Sequence, residues 1–165
     1  MKELAQLLNE MCSSEVIGNY ALFGATAQMR YTEPVATLDA DVLVAVKSEV
    51  GLDILQFCTE RGYHIEGESV RVGAWPVQFI PAFNQLTHEA MEHAEIVDFE
   101  GVPFRVVRAD YLGIIALSVG RAKDFARILA LLESGSVSRT KLARLAKKHD
   151  FSNAWKRFES RFFHE

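Results

Sequence analysis

Two aspartates and one glycine are the residues of this sequence whose types and spacing are best suited to chemistry. Asp39 and Asp41 lie at i and i+2 at the head of an apolar segment, and Gly24 ends a shorter apolar segment before them. Because strand side chains alternate, a strand here directs both carboxylates to one face. An acidic pair that faces a glycine turn at a helix start is suited to hold a divalent metal and nucleotide phosphates. The same short pattern also fits a strand-end turn with two solvated aspartates.

The apolar periodicity predicts which elements position these residues. Strands and hairpins come first and consecutive helices follow, which is typical of an α+β fold rather than of a doubly wound sheet. We therefore expect a small mixed β-sheet with flanking helices and a helical C-terminal extension. The first helix carries Leu4, Leu7, Leu8 and Met11 on one face. Predicted strands cover 20–23, 39–46, 63–65, 70–72, 76–80, 95–99 and 102–107, and further helices cover 24–31, 51–61, 85–93, 109–119, 121–134, 138–149 and 151–163.

Charge is distributed unevenly along the chain. Residues 1–104 contain five basic and 16 acidic residues, a net charge of −11, whereas residues 105–165 contain 13 basic and six acidic residues, a net charge of +7. An acidic first part suits a metal site, and a basic second part attracts polyanions. The alternative is that these charges only solvate the surfaces of helices.

The remaining composition predicts a cytoplasmic protein without membrane contact. No apolar run reaches the roughly 18 residues of a membrane span. The first 15 residues carry acids and lack the apolar core of a signal peptide. Cys12 and Cys58 lack metal-ligand spacing, and we expect both to be buried packing residues.

The order of the motifs resembles the nucleotidyltransferase superfamily, which includes DNA polymerase beta, the minimal nucleotidyltransferases and abortive-infection toxin–antitoxin relatives. Phe23-Gly24-Ala25 is followed by 13 residues and then by Asp39-Ala40-Asp41-Val42-Leu43. A later segment with Arg121, Lys123 and Asp124 resembles the R-x-K-D helix of bacterial members. The resemblance spans about residues 16–132. It implies a nucleotidyltransferase-like core over 1–108 and a helical part over 109–165 that packs on this core.

The resemblance also implies roles for individual residues. Asp39 and Asp41 are the expected catalytic carboxylates and ligands of Mg²⁺ or Mn²⁺. Gly24, Ala25 and Thr26 are expected to contact the phosphates of a nucleoside triphosphate, mainly through the backbone. Arg121 and Lys123 are expected to stabilise phosphate charge, with Asp124 holding one of them.

The sequence departs from the family pattern at important positions. Gln78, expected beside the metal site, stands where a third carboxylate is usual, and Ala25 replaces a common Ser or Gly. Glutamine brings no charge and cannot act as a general base. Glu66 and Glu68 are the nearest other carboxylates along the chain, but their spacing does not select them.

Three hypotheses follow from the resemblance and its departures. The first is an active nucleotidyltransferase that moves a nucleoside monophosphate from NTP·Mg²⁺ to an acceptor hydroxyl of RNA, such as tRNA, or of protein. The second is a degenerate member that binds a nucleotide or a partner without turnover. The third, which overlaps both, is a toxin–antitoxin component whose acceptor is RNA or its own partner.

Two further patterns are weighed against simpler explanations. His88 and His93 are five residues apart, so they cannot share one metal on a helix, and we expect a surface helix. The last helix carries an aromatic stripe at spacings of four, three and four, which favours a core-facing side over a nucleic-acid surface. This stripe consists of Phe151, Trp155, Phe158 and Phe162.

Overall fold

The computed structural model describes residues 1–47 and 52–164. These residues form two compact units. The first unit comprises residues 1–27 and 35–107, and the second comprises residues 28–34 and 108–165. The predicted packing of the helical part on the core stays a prediction.

A seven-stranded mixed sheet forms the centre of the first unit, in the order β3-β4-β5-β2-β1-β7-β6. The two central strands are antiparallel, and each has a parallel neighbour on its other side, β5 beside β2 and β7 beside β1. The outer pairs are antiparallel. The strands are β1 (Ile17–Phe23), β2 (Ala40–Val46), β3 (His64–Glu66), β4 (Ser69–Val72), β5 (Trp75–Pro81), β6 (Glu95–Phe99) and β7 (Val102–Val106).

Four helices belong wholly or mainly to this sheet-containing part: α1 (Lys2–Ser13), α2 (Gly24–Gln28), α3 (Leu52–Glu60) and α4 (Gln85–Glu92). The predicted apolar face of α1 is confirmed, because Leu4, Leu7, Leu8 and Met11 are all buried. Asn84 caps α4 by accepting a hydrogen bond from the backbone N–H of Thr87 at 2.8 Å. An Asn at this position satisfies one of the amides that a helix start leaves unbonded.

The second unit contains four consecutive helices, α5 (Ala109–Val119), α6 (Ala122–Glu133), α7 (Arg139–Lys148) and α8 (Ser152–Phe162). Helix α5 is its centre, since every residue from Ala109 to Leu117 is buried. The Leu142 side chain of α7 lies only 2.8 Å from where a Cβ on Gly113 would be. A side chain at position 113 would therefore require the Leu142 side chain to move.

The predicted α+β fold with its mixed sheet and helical extension is confirmed, with shifts at some element ends. The helix predicted over 24–31 is too long, because α2 ends at Gln28. The amides of Tyr31 and Thr32 both bond to the Gln28 carbonyl, which closes a turn ahead of Pro34. Asp39 directly precedes β2 instead of opening it, and β1 begins three residues earlier than predicted. Position 51 of the predicted third helix lies outside the described residues.

Two smaller expectations are also settled. His88 and His93 are exposed, as expected of a surface helix. Cys58 is fully buried, but Cys12 is only half-buried, so the prediction of a buried Cys12 is wrong. Within the described ranges, no helix has the length and apolar character needed to cross a membrane.

Candidate active site

Asp41 occupies the centre of the sheet, where three strands run side by side. It pairs with Phe23 of β1 on one side and with Gln78 of β5 on the other. Laterally paired residues in a sheet project to the same face, and neighbouring strands lie about 4.8 Å apart. The side chains of Asp41 and Gln78 are therefore immediate neighbours on one face of the sheet.

Gly24 makes the closest approach to the Asp41 carboxylate. A Cβ built on Gly24 would lie 2.7 Å from Oδ2 of Asp41, well inside van der Waals contact. The backbone of Gly24 has φ +66°, a left-handed conformation that residues with a side chain rarely adopt. Glycine is required here for two reasons. It adopts the left-handed backbone conformation in which the chain leaves β1, and it leaves room for the Asp41 carboxylate.

Asp39 is positioned by the short loop that leads into β2. The Thr37 hydroxyl donates a hydrogen bond to the backbone carbonyl of Asp39 at 2.9 Å, which holds the chain at this point. Both Asp39 and Asp41 are half-buried. Two carboxylates two residues apart thus lie where β2 begins, at the end of the sheet where β1 turns into α2.

The architecture that holds these residues can be compared with solved structures. A nucleotidyltransferase-like antigenic protein from Paracoccidioides brasiliensis matches over 94% of this chain and 93% of its own, with 17% identity and a TM-score of 0.51. This chain has a nucleotidyltransferase-like fold.

Two structures of the antibiotic-resistance factor ANT(2'')-Ia align less closely. One, a complex with adenylyl-2''-tobramycin, matches over 96% of this chain and 97% of its own, with 11% identity and a TM-score of 0.47. The other, a solution structure, matches over 96% and 91%, with 12% identity and a TM-score of 0.48. No family model matches the sequence, and no curated protein matches it.

The other two predicted residues of the turn, Ala25 and Thr26, lie at the start of α2. Ala25 is half-buried at the start of α2. Thr26 is 7% exposed, and its hydroxyl donates to the backbone carbonyl of Phe23 at 3.2 Å. In this arrangement the Thr26 hydroxyl stabilises the turn, and the roles of both residues in phosphate binding stay predictions.

The sheet register places Gln78 beside Asp41, and Asp39 precedes Asp41 by two residues in the chain. Over residues 1–47 and 52–164, no group of three or more His, Cys, Asp or Glu side chains is arranged to hold a metal. Glu66, one of the alternative third carboxylates, instead pairs with Arg71 at 3.1 Å, and hydrogen bonding from this arginine lowers its pKa. Glu68 is exposed on the β3–β4 turn.

Arg121 and Lys123 lie in the second unit, at the start of α6. The Arg121 guanidinium donates to both carboxylate oxygens of Asp124, at 2.7 Å and 3.2 Å, and its backbone amide donates to the same group. Burial by itself raises the pKa of Asp124, but these bonds and the charge of Arg127 hold it below its usual range. The prediction that Asp124 holds one of the two cations is confirmed, whereas Lys123 is exposed and its phosphate role stays a prediction.

Sequence reasoning missed how directly Gly24 and Asp41 meet. The motif predicts a place where the backbone approaches phosphates, and in the structure the glycine also makes room for the carboxylate. The signal that reveals this is the antiparallel register of β1 and β2, which pairs Phe23 with Asp41. That register cannot be derived from the two apolar segments alone, because helix α2 and a loop separate them.

Proposed function

We propose that this protein is a metal-dependent nucleotidyltransferase that moves a nucleoside monophosphate from NTP·Mg²⁺ to an acceptor hydroxyl of RNA or protein. One observation carries the proposal. The Asp41 carboxylate rests against Gly24 at the turn that ends β1, with Asp39 two residues away in the chain and half-buried like it. This arrangement brings the Asp41 carboxylate to a glycine turn within a nucleotidyltransferase-like fold, with Asp39 in the loop just before β2.

Asp39 and Asp41 are the residues that would hold Mg²⁺ or Mn²⁺. Both ions prefer oxygen ligands, and Mg²⁺ is often bound by one or two carboxylates while phosphate oxygens and water complete its coordination. Such an ion neutralises charge on the triphosphate and aligns it for in-line displacement. The contribution of the chain would be to hold Asp41 at the start of a central strand and Asp39 in the loop before it, so that a nucleotide binds in a defined orientation.

Gln78 limits one step of this reaction, the removal of the proton from the acceptor hydroxyl. Its amide oxygen is able to approach a cation, but it accepts no proton from an acceptor hydroxyl at neutral pH. An acceptor would therefore have to lose its proton to water or to a group of its own. This favours slow transfer. The predicted role of Arg121 and Lys123, to stabilise phosphate charge, stays a prediction.

The neutral Gln78 side chain supports a second candidate, a degenerate member that binds a nucleotide or a partner without turnover. A neutral side chain beside Asp41, and no third carboxylate gathered there among the described residues, both fit a protein that binds without transferring. A toxin–antitoxin role is compatible with either candidate.

A transfer assay with four α-phosphate-labelled nucleoside triphosphates separates the candidates. Full-length protein is incubated with Mg²⁺ and each NTP, alone and with a short RNA that has a free 3′ hydroxyl. We expect label in the RNA or in the protein itself, and we expect Asp39→Asn/Asp41→Asn to abolish it. The matched control is Asp53→Asn, which removes an exposed carboxylate from α3 and should leave labelling unchanged.

Two other results of this assay have distinct meanings. Mg²⁺-dependent nucleotide binding without labelling identifies the degenerate candidate. Labelling that survives the double substitution contradicts the proposed site.

A further inference from the structure

An aromatic groove of about 580 Å³ lies in the second unit, between the end of α5, the start of α6 and one face of α8. Its walls are formed by Leu117, Phe125, Phe151 and Phe162, together with the arginines Arg157 and Arg161. Its volume falls in the range typical of ligand sites, about 300–1,000 Å³. The groove does not belong to the site at Asp39 and Asp41 in the first unit.

Accessible aromatic rings distinguish this groove from an ordinary surface depression. Phe125 and Phe162 are half-buried, with ring centroids 5.8 Å apart, and both rest on the buried Phe158 at 5.7 Å and 4.8 Å. The predicted core-facing stripe of α8 is therefore divided. Trp155 and Phe158 are core residues, as expected, whereas the half-buried Phe162 contributes to the groove.

The charge of the groove is positive. Arg157 and Arg161 are exposed and one helical turn apart on α8. The Arg161 guanidinium lies over the rings of Phe125 and Phe162, at 5.6 Å and 5.2 Å from their centroids. In the described part of the chain neither arginine forms an ion pair, and no carboxylate lines the groove.

We propose that this groove binds single-stranded nucleic acid, with a base stacked on the Phe125–Phe162–Arg161 surface and backbone phosphates near Arg157 and Arg161. Bases stack on aromatic rings and on guanidinium planes, and this contact tolerates any sequence because every base has a π face. The net charge of +7 over residues 105–165 adds a long-range attraction for a polyanion.

The accessible rings beside the arginines favour nucleic acid over an acidic peptide, because bases stack on rings. The few polar groups of the groove predict weak sequence preference. Ser118 is the hydroxyl of the lining, and it already donates to the Ile115 carbonyl at 2.6 Å. Few groups remain to read the hydrogen-bonding edge of a base, while two cations and several rings remain for phosphates and base faces. Binding does not depend on whether Asp39 and Asp41 support transfer.

The test measures binding of a fluorescein-labelled, single-stranded 12-nucleotide uridine RNA to the full chain by fluorescence anisotropy, without NTP or Mg²⁺. Phe162→Leu keeps an apolar side chain but removes the ring, and should weaken binding about 5- to 100-fold. The matched control is Phe163→Leu, which changes the next ring along the chain, outside the groove lining, and should change affinity less than about threefold.

A second pair of variants tests the charges. Arg157→Gln/Arg161→Gln should weaken binding and reduce the slope of log affinity against log salt concentration by about 1.4. Arg144→Gln/Lys147→Gln, which removes two exposed cations of α7, should have a smaller effect on affinity. The doubly substituted Asp39→Asn/Asp41→Asn protein should bind the RNA as the unaltered protein does, so a failed transferase proposal leaves this one intact.

Several results would overturn the proposal. One is equal affinity of Phe162→Leu and Phe163→Leu when thermal unfolding shows both to be folded. Another is equal loss of affinity in the two arginine and lysine pairs, which would mean diffuse charge attraction only. A third is tighter binding of a 12-residue polyglutamate peptide with the same dependence on Phe162, which would identify the groove as a site for acidic protein segments.

Discussion

The two units place their polar groups by different means. In the first, strand pairing brings Asp41 beside Gln78, and a left-handed glycine makes room for the carboxylate. In the second, helical periodicity puts Arg157 and Arg161 on one face of α8, and Arg161 lies above rings from two helices. Residues 1–104 have a net charge of −11, and residues 105–165 have a net charge of +7. The position of a side chain in the sheet is thus fixed by backbone register, whereas the position of a side chain in the groove depends on how the helices pack.

The largest expected effect comes from Gly24→Ala. A Cβ at this position must displace the Asp41 carboxylate, and the left-handed backbone costs about 1–2 kcal/mol for a residue with a side chain. We expect Mg²⁺-dependent NTP affinity to fall at least tenfold, together with a loss of unfolding free energy measured by urea denaturation.

Gly101→Ala provides the control for that prediction. Gly101 also has a positive φ, +86°, but a Cβ there would meet no atom within 4 Å. The Gly101→Ala protein should lose a similar amount of unfolding free energy and keep the nucleotide affinity of the unaltered protein. Equal nucleotide binding by both variants would show that the contact with Asp41 has no part in the site.

An intermediate effect is expected from Asp124→Asn in the second unit. This buried carboxylate accepts the Arg121 backbone amide at the start of α6 and pairs with its guanidinium. We expect a loss of about 1–2 kcal/mol in the free energy of unfolding. NTP binding by the first unit should change little if the two regions act separately.

The pH dependence of this variant gives a second measurement. Because the pKa of Asp124 in the folded protein lies below the usual 3.8, its stabilisation is complete above that value and is lost as pH falls through the lowered pKa. The stability difference between the unaltered protein and Asp124→Asn should therefore shrink below about pH 4. A difference that is constant with pH would contradict the role of the ionised carboxylate.

The smallest expected effect comes from Gln78→Asp. A third carboxylate beside Asp41 should tighten Mg²⁺ binding about three- to tenfold and raise any transfer rate, because it adds charge and a proton acceptor. Gln78→Asn is the control, since it shortens the side chain equally without adding charge. A Gln78→Asp protein with weaker Mg²⁺ binding than Gln78→Asn would place the metal away from this strand.

The sequence predicted the strands around Gly24 and Asp41 better than it predicted the groove, for physical reasons. Gly24 and Asp41 border two apolar segments that the periodicity identifies as strands. The common face predicted for Asp39 and Asp41 stays a prediction, because Asp39 precedes β2. The end of α2 at Gln28 was missed because a turn stabilised by the Gln28 carbonyl competes with helix. Helical spacing alone could not separate the buried Phe158 from the half-buried Phe162, because burial depends on which helices pack beside α8.

Calorimetric titration of each nucleoside triphosphate, with and without Mg²⁺, tests the central claim most directly. The unaltered protein should bind at least one NTP in a Mg²⁺-dependent manner, and Asp39→Asn/Asp41→Asn should lose that binding while its thermal unfolding stays cooperative. Undiminished Mg²⁺-dependent binding by the double variant, or no binding of any NTP by the unaltered protein, would contradict a metal and nucleotide site at the start of β2.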